Sequence, residues 1–132
     1  MKIDPELARA TEELRLTYPN YTVESFQFIS DAVNYTIGKL ESHRHVSAAE
    51  LLEGTRDYAY EQYGAVAPLV MAKLGLRSGR NVGEAVYLLI SVNVLSASPE
   101  DSPGDFNVEF SWERPADTRR TRKDPLPFLD AE

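Results

Sequence analysis

Helix-capping residues stand ahead of apolar residues that recur every three or four positions, and this pairing most restricts how the chain can fold. The stretch "YTVESFQFISDAVNYTIGKLE", residues 21–41, has Thr22 as its N-cap, with Tyr21 and Phe26 on either side as a hydrophobic staple. Phe26, Ile29, Val33, Ile37 and Leu40 follow at helical spacing, and Phe28, Ala32 and Tyr35 widen the stripe, so a broad face must be buried. "HVSAAELLEGTRDYAYEQYG", residues 45–64, carries a capping box in Ser47 and Glu50, a staple in Val46 and Leu51, and a terminating Gly64. Its Leu51, Leu52, Thr55, Ala59 and Tyr63 turn inward, with Tyr58 alongside. Asp4 before Pro5 opens a first helix whose narrow stripe, Leu7, Ala10 or Thr11, and Leu14, marks it as peripheral; Pro19 stops it. "AVAPLVMAKLG" is a shorter helix with Pro68 in its first turn and Gly75 as its stop. A last helix over "RSGRNVGEAVYLLISVN" has two overlapping caps, Ser78 and Asn81, the latter boxed with Glu84. With Val82, Ala85, Val86, Leu89 and Val92 inside and little polar surface elsewhere, it is expected to be the most buried helix. Asn93 closes it in the left-handed conformation.

After that helix the apolar period changes from 3.6 to 2. "DFNVEFSWE" alternates Phe106, Val108, Phe110 and Trp112 with polar residues, as a half-buried strand does, and "VLSA" before the "SPEDSPG" turn is its antiparallel partner. The expected fold is therefore mainly α, with about five helices and a C-terminal two-stranded β-hairpin, for which a winged-helix-like arrangement is one option. Residues 1–113 read as a single domain, and 132 residues suffice to bury roughly two-thirds of the unfolded surface. Residues 114–132 read as a disordered tail, because they hold almost no apolar side chain before "LPFL". Charge divides the chain at the same place. Residues 1–113 carry 17 acids and 9 bases, whereas "RPADTRRTRK", residues 114–123, carries five bases and one acid.

Between Tyr18 and Trp112 the chain resembles a family of small uncharacterised bacterial proteins found mainly in planctomycetes and verrucomicrobia. The resemblance is carried by "HVSAAELLEGTRDYAYEQYG", by "LGLRS…VGEAVYLL" and by "LSASPEDSPGDF". It implies a common fold and transfers no catalytic residue.

Several functions lose support at this stage. No apolar run approaches the ~18 residues of a membrane span, and "KIDPELARATEEL" lacks a signal-peptide core, so a cytoplasmic protein is expected. The absence of cysteine removes disulfides, thiolate nucleophiles and thiolate metal sites. A metal-dependent hydrolase would rest on His43 and His45, two apart, joined by Glu41; a defensible site needs three or four converging ligands, and "ESHRH" reads better as a polar connector. Glu50, Gly54, Asp57 and Glu61 fall on the side opposite the apolar face, where carboxylates are solvated and unsuited to acid–base work. Gly54 costs about 1 kcal/mol against alanine in a helix interior, which implies close packing there. No nucleophile elbow, P-loop or dinucleotide fingerprint is present. A winged-helix-like nucleic-acid binder is disfavoured by the acidic hairpin turn and the acidic body. No cofactor is expected.

The remaining reading is a non-catalytic protein-interaction or regulatory module, with a protein partner or self-association. Arg56 and Tyr60, four apart on one helix, are candidates for partner binding. So is the tail, where Leu126, Phe128 and Leu129 resemble a short linear motif and Arg119, Arg120, Arg122 and Lys123 supply electrostatic attraction.

Overall fold

A computed structural model describes residues 2–40, 46–96 and 110–113. In chain order the helices are α1 (Pro5–Ala10), α2 (Glu12–Thr17), α3 (Val23–Gly38), α4 (Ala48–Tyr63), a 3-10 turn (Gly64–Val66), α5 (Ala67–Lys73) and α6 (Gly79–Ser91). The first helix is thus two, broken at Thr11. Its buried hydroxyl donates to the Leu7 carbonyl at 2.9 Å, and Arg15 Nη2 donates to the Ala8 carbonyl at 2.6 Å. Such back-bonding to the preceding turn bends helices.

The caps act as their chemistry requires. The Thr22 hydroxyl accepts from the Ser25 N–H, with the Ser25 hydroxyl closing the box, and the Tyr21 and Phe26 rings lie 5.8 Å apart. Ser47 and Glu50 form the reciprocal pair at 3.2 and 3.0 Å. Ser78 caps α6. The alternative cap, Asn81, instead closes the Ser78 box with its own side chain, and Glu84 accepts from the Tyr21 hydroxyl. Asn93, at φ 66°, ends α6: its N–H reaches the Ile90 carbonyl and the Val94 N–H the Leu89 carbonyl, the double bond of a Schellman motif.

α3 is the central helix, not α6. Six consecutive residues, Ser25–Ser30, are buried on it, and it packs on α1, α4 and α6. Apolar count pointed to α6, but burial follows position in the packing, and α3 can go inside because its polar groups are satisfied. Ser25 Oγ donates to the Leu74 carbonyl at 2.6 Å, Gln27 accepts from the Asp4 N–H at 2.8 Å and donates to Asp31, and the Thr36 hydroxyl donates to the Ala32 carbonyl. Ile37, expected inside, is exposed because at this turn of α3 it is Thr36 that faces Gly54 on α4.

The expected C-terminal hairpin is not found: the described residues contain no strand. The Val94 and Leu95 N–H groups both point at the Leu89 carbonyl and so close α6 instead of joining a ladder. Of the second expected strand, residues 110–113 are described. Trp112 is buried and its Nε1 donates to the Leu76 carbonyl, while Phe110 packs edge-on against it at 5.1 Å and 81°. The alternation is real, with Phe110 and Trp112 turned inward and Ser111 and Glu113 exposed, but it belongs to an extended segment laid on helices. Residues 97–109, between these pieces, lie outside the described residues. A winged-helix-like arrangement needs the hairpin as its wing and falls with it. Among the described residues no helix is long and apolar enough to cross a membrane.

Candidate interaction surface

α3 and α4 run antiparallel. Phe28 meets Tyr58 and Tyr63, whereas Tyr35, two turns further along α3, meets Tyr58, and Thr36 meets Gly54. At Gly54 the helices touch so closely that a Cβ would overlap Thr36 Oγ1 and lie 2.7 Å from its Cγ2. This explains a glycine in mid-helix, and it corrects the expectation that Gly54 faces away from the core. Along one side of the pair lies an open hollow of about 810 Å³. Tyr35 and Lys39 line it from α3, Asp57, Tyr60 and Glu61 from α4, and Glu113 from the C-terminal segment. Gly64 and Ala65 form one wall, with Gly64 at φ 63° making the turn that redirects the chain into α5.

Among the described residues the hollow is lined by three carboxylates, Asp57, Glu61 and Glu113, and one ammonium, Lys39. Lys39 Nζ sits 4.7 Å from the centre of the Tyr35 ring, a cation–π distance. Its pKa is raised, first by hydrogen bonding with Tyr35 and then by the Tyr35, Glu61 and Asp57 charges. Burial raises the Tyr58 and Tyr63 phenols, with Asp31 adding to both. Away from the hollow, burial and the 2.6 Å hydrogen bond to Glu84 push Tyr21 up to about 12. All these shifts are upward.

Beside the hollow, Val66 and Leu69 are exposed at 52% and 67%. Val66 follows directly on Gly64 and Ala65 in the chain, and Leu69 lies in the first turn of α5.

The residues singled out from sequence fall in three places. Tyr60 is half-buried and lines the hollow. Arg56 lies one turn away and is engaged within the chain: Nη1 donates to the Ser111 carbonyl at 3.1 Å and the guanidinium sits 5.5 Å from the Phe110 ring centre. It fastens the C-terminal segment to α4. Glu41, His43 and His45 lie outside the described residues, as do Arg119, Arg120, Arg122, Lys123, Leu126, Phe128 and Leu129. Among the described residues no three His, Asp or Glu side chains converge as metal ligands. Sequence reasoning did not find Tyr35, Lys39 and Glu113. The available signal was the pairing of Tyr35 with Lys39 and of Asp57 with Glu61, each four apart on a helix and therefore on one edge.

No family model matches the chain, and comparison with curated proteins and with solved structures finds no match.

Proposed function

We propose that this domain is a non-catalytic protein-interaction or regulatory module whose docking surface is the α3–α4 hollow together with the Val66–Leu69 step. The observation that carries the reading is the make-up of that surface: tyrosines and a carboxylate-rich rim beside exposed apolar side chains, on helices held by a packed core. Tyrosine offers a large contact area at low entropic cost, and a rim of one predominant sign selects partners of the other. The fitting partner is a polypeptide segment with basic and apolar side chains.

Affinity capture from the source cell tests this with three chains: the unaltered one, Tyr60→Ala and Glu61→Arg. A polypeptide retained by the first and lost from both variants, at unchanged melting temperature, is the expected result. Retention by all three overturns the surface assignment. Elemental analysis of untagged protein is the converse check. Near-stoichiometric zinc, iron or manganese that disappears in a His43→Ala/His45→Ala variant overturns the non-catalytic reading.

A further inference from the structure

We infer that the resident occupant of this surface is the chain's own C-terminal segment, residues 114–132, with its basic stretch over the hollow and its apolar stretch on the Val66–Leu69 step. The inference rests on the docking surface proposed above and adds what fills it.

Three observations support it. The first is where the chain leaves the described structure: Glu113 is itself part of the hollow's lining, so Arg114 begins at the site. Arg56 and the buried Trp112 fix that exit point by holding residues 110–112 against α4 and the α5–α6 connection. The second is charge. Asp57, Glu61 and Glu113 outnumber Lys39 in the hollow, and the segment that follows immediately carries five bases against one acid. The third is composition. The apolar residues Leu126, Phe128 and Leu129 come after the basic stretch, and exposed apolar Val66 follows Gly64 and Ala65 of the hollow's wall in the chain. Ten residues of extended chain reach at most roughly 35 Å.

The same-chain segment is favoured over that of a second copy by effective concentration. A short tether presents its ligand at roughly millimolar concentration, above that of any ordinary protein solution. A domain so occupied is closed to partners until one competes the segment away. Its charged half weakens with salt and its apolar half does not.

The chain has no cysteine, so an Ala131→Cys substitution in the full-length protein gives a single attachment point for a nitroxide. In dilute uniformly ¹⁵N-labelled protein, amides of Tyr60, Glu61 and Gly64–Leu69 should broaden, while those of α1 and α2 remain sharp. Adding Asp57→Arg and Glu61→Arg to the labelled chain should reduce the broadening several-fold. Spin-labelled ¹⁴N chain mixed with unlabelled ¹⁵N chain should produce none. Sharp amides across the surface overturn the inference, and broadening that appears in the mixed sample assigns the surface to a second copy and overturns it equally. Failure here leaves the proposed function distinguishable: a segment that misses the surface, with partner capture still lost in Tyr60→Ala, removes only the self-occupancy. A segment that docks, with capture indifferent to Tyr60→Ala and Glu61→Arg, preserves self-occupancy and removes the proposed partner surface.

Discussion

At its N-terminal end α3 is tied into the α5–α6 connection by side-chain hydrogen bonds, whereas toward its C-terminal end it packs on α4 and lends Tyr35 and Lys39 to an open hollow beside the pair. Ser25 donates to the Leu74 carbonyl, Trp112 to the Leu76 carbonyl and Tyr21 to Glu84, while Gly75, at φ 78°, lets the Asn20 carbonyl come against the turn where no Cβ could stand. At the other end Thr36 and Gly54 come into close contact, and beside the pair Tyr35, Lys39, Tyr60 and Glu61 line the hollow. One helix therefore serves two purposes. Where neighbours must be held in register, Ser25, Tyr21 and Trp112 each have a hydrogen-bond partner; where a surface is to be offered, carboxylates predominate among the charged side chains. Substitutions at the stitched end and in the core should cost stability, and substitutions in the hollow should not.

Leu89→Asp should produce the largest effect. Leu89 is fully buried on α6, and an unpaired carboxylate there should cost more than about 4 kcal/mol and leave the domain unfolded by circular dichroism at 25 °C. A variant melting within a degree or two of the parent would dissolve the distinction between core and surface.

Gly54→Ala comes next, at about 1–3 kcal/mol of overpacking, less the ~1 kcal/mol by which alanine favours helix. Thr36→Ala in the same chain should restore part of the loss, because it removes Oγ1 and Cγ2 but leaves the Cβ that would stand 2.8 Å away. No recovery in the double variant's denaturant midpoint would place the crowding elsewhere.

The capping residues and glycine stops were legible in the sequence because their chemistry is local. Ser47 with Glu50, or Asn93 after a helical stripe, involves atoms within a few positions of each other. The Thr36–Gly54 contact joins residues 18 apart, so the sequence indicated that Gly54 needed close packing but not against what. α3 was ranked below α6 for the same reason: apolar content is visible residue by residue, while the partners that let Ser25, Gln27 and Thr36 go inside are distant. The alternation at Phe110 and Trp112 correctly marked which side chains face the protein. It could not distinguish a strand from an extended segment pinned by Arg56 and the Leu76 carbonyl. The hollow was half legible, since Tyr60 was visible as a boundary aromatic, but its opposite wall comes from another helix.

Tyr21 sharpens the comparison through pH. Its folded pKa, about 12, lies above the ordinary 10, so the neutral phenol is the form the fold prefers. The stabilisation is complete below pH 10 and is lost as pH rises toward 12. Tyr58 and Tyr63 add to the decline with the same sign. Thermal melts at pH 9 and pH 11.5 should therefore differ more for the parent than for Tyr21→Phe, which lacks the titrating group; equal differences would remove Tyr21 from the stitched end.

Glu61→Arg should have the smallest effect, within about 0.5 kcal/mol, as expected for an exposed side chain outside the packed contacts. A loss of 2 kcal/mol in urea denaturation would show the hollow to be structural after all.

The burial of Trp112 sets a constraint on how the protein is made. The indole is the only one in the chain, and the Leu76 carbonyl it satisfies lies 36 residues earlier. During synthesis the six helices are complete once Ser91 has left the ribosome, yet the interior still lacks an aromatic side chain and a hydrogen-bond donor. At about 5–20 residues per second the missing piece follows roughly 1–4 s later. For that interval the helices lack the indole that covers the Leu76 carbonyl and donates to it, and the emergence of Trp112 supplies both.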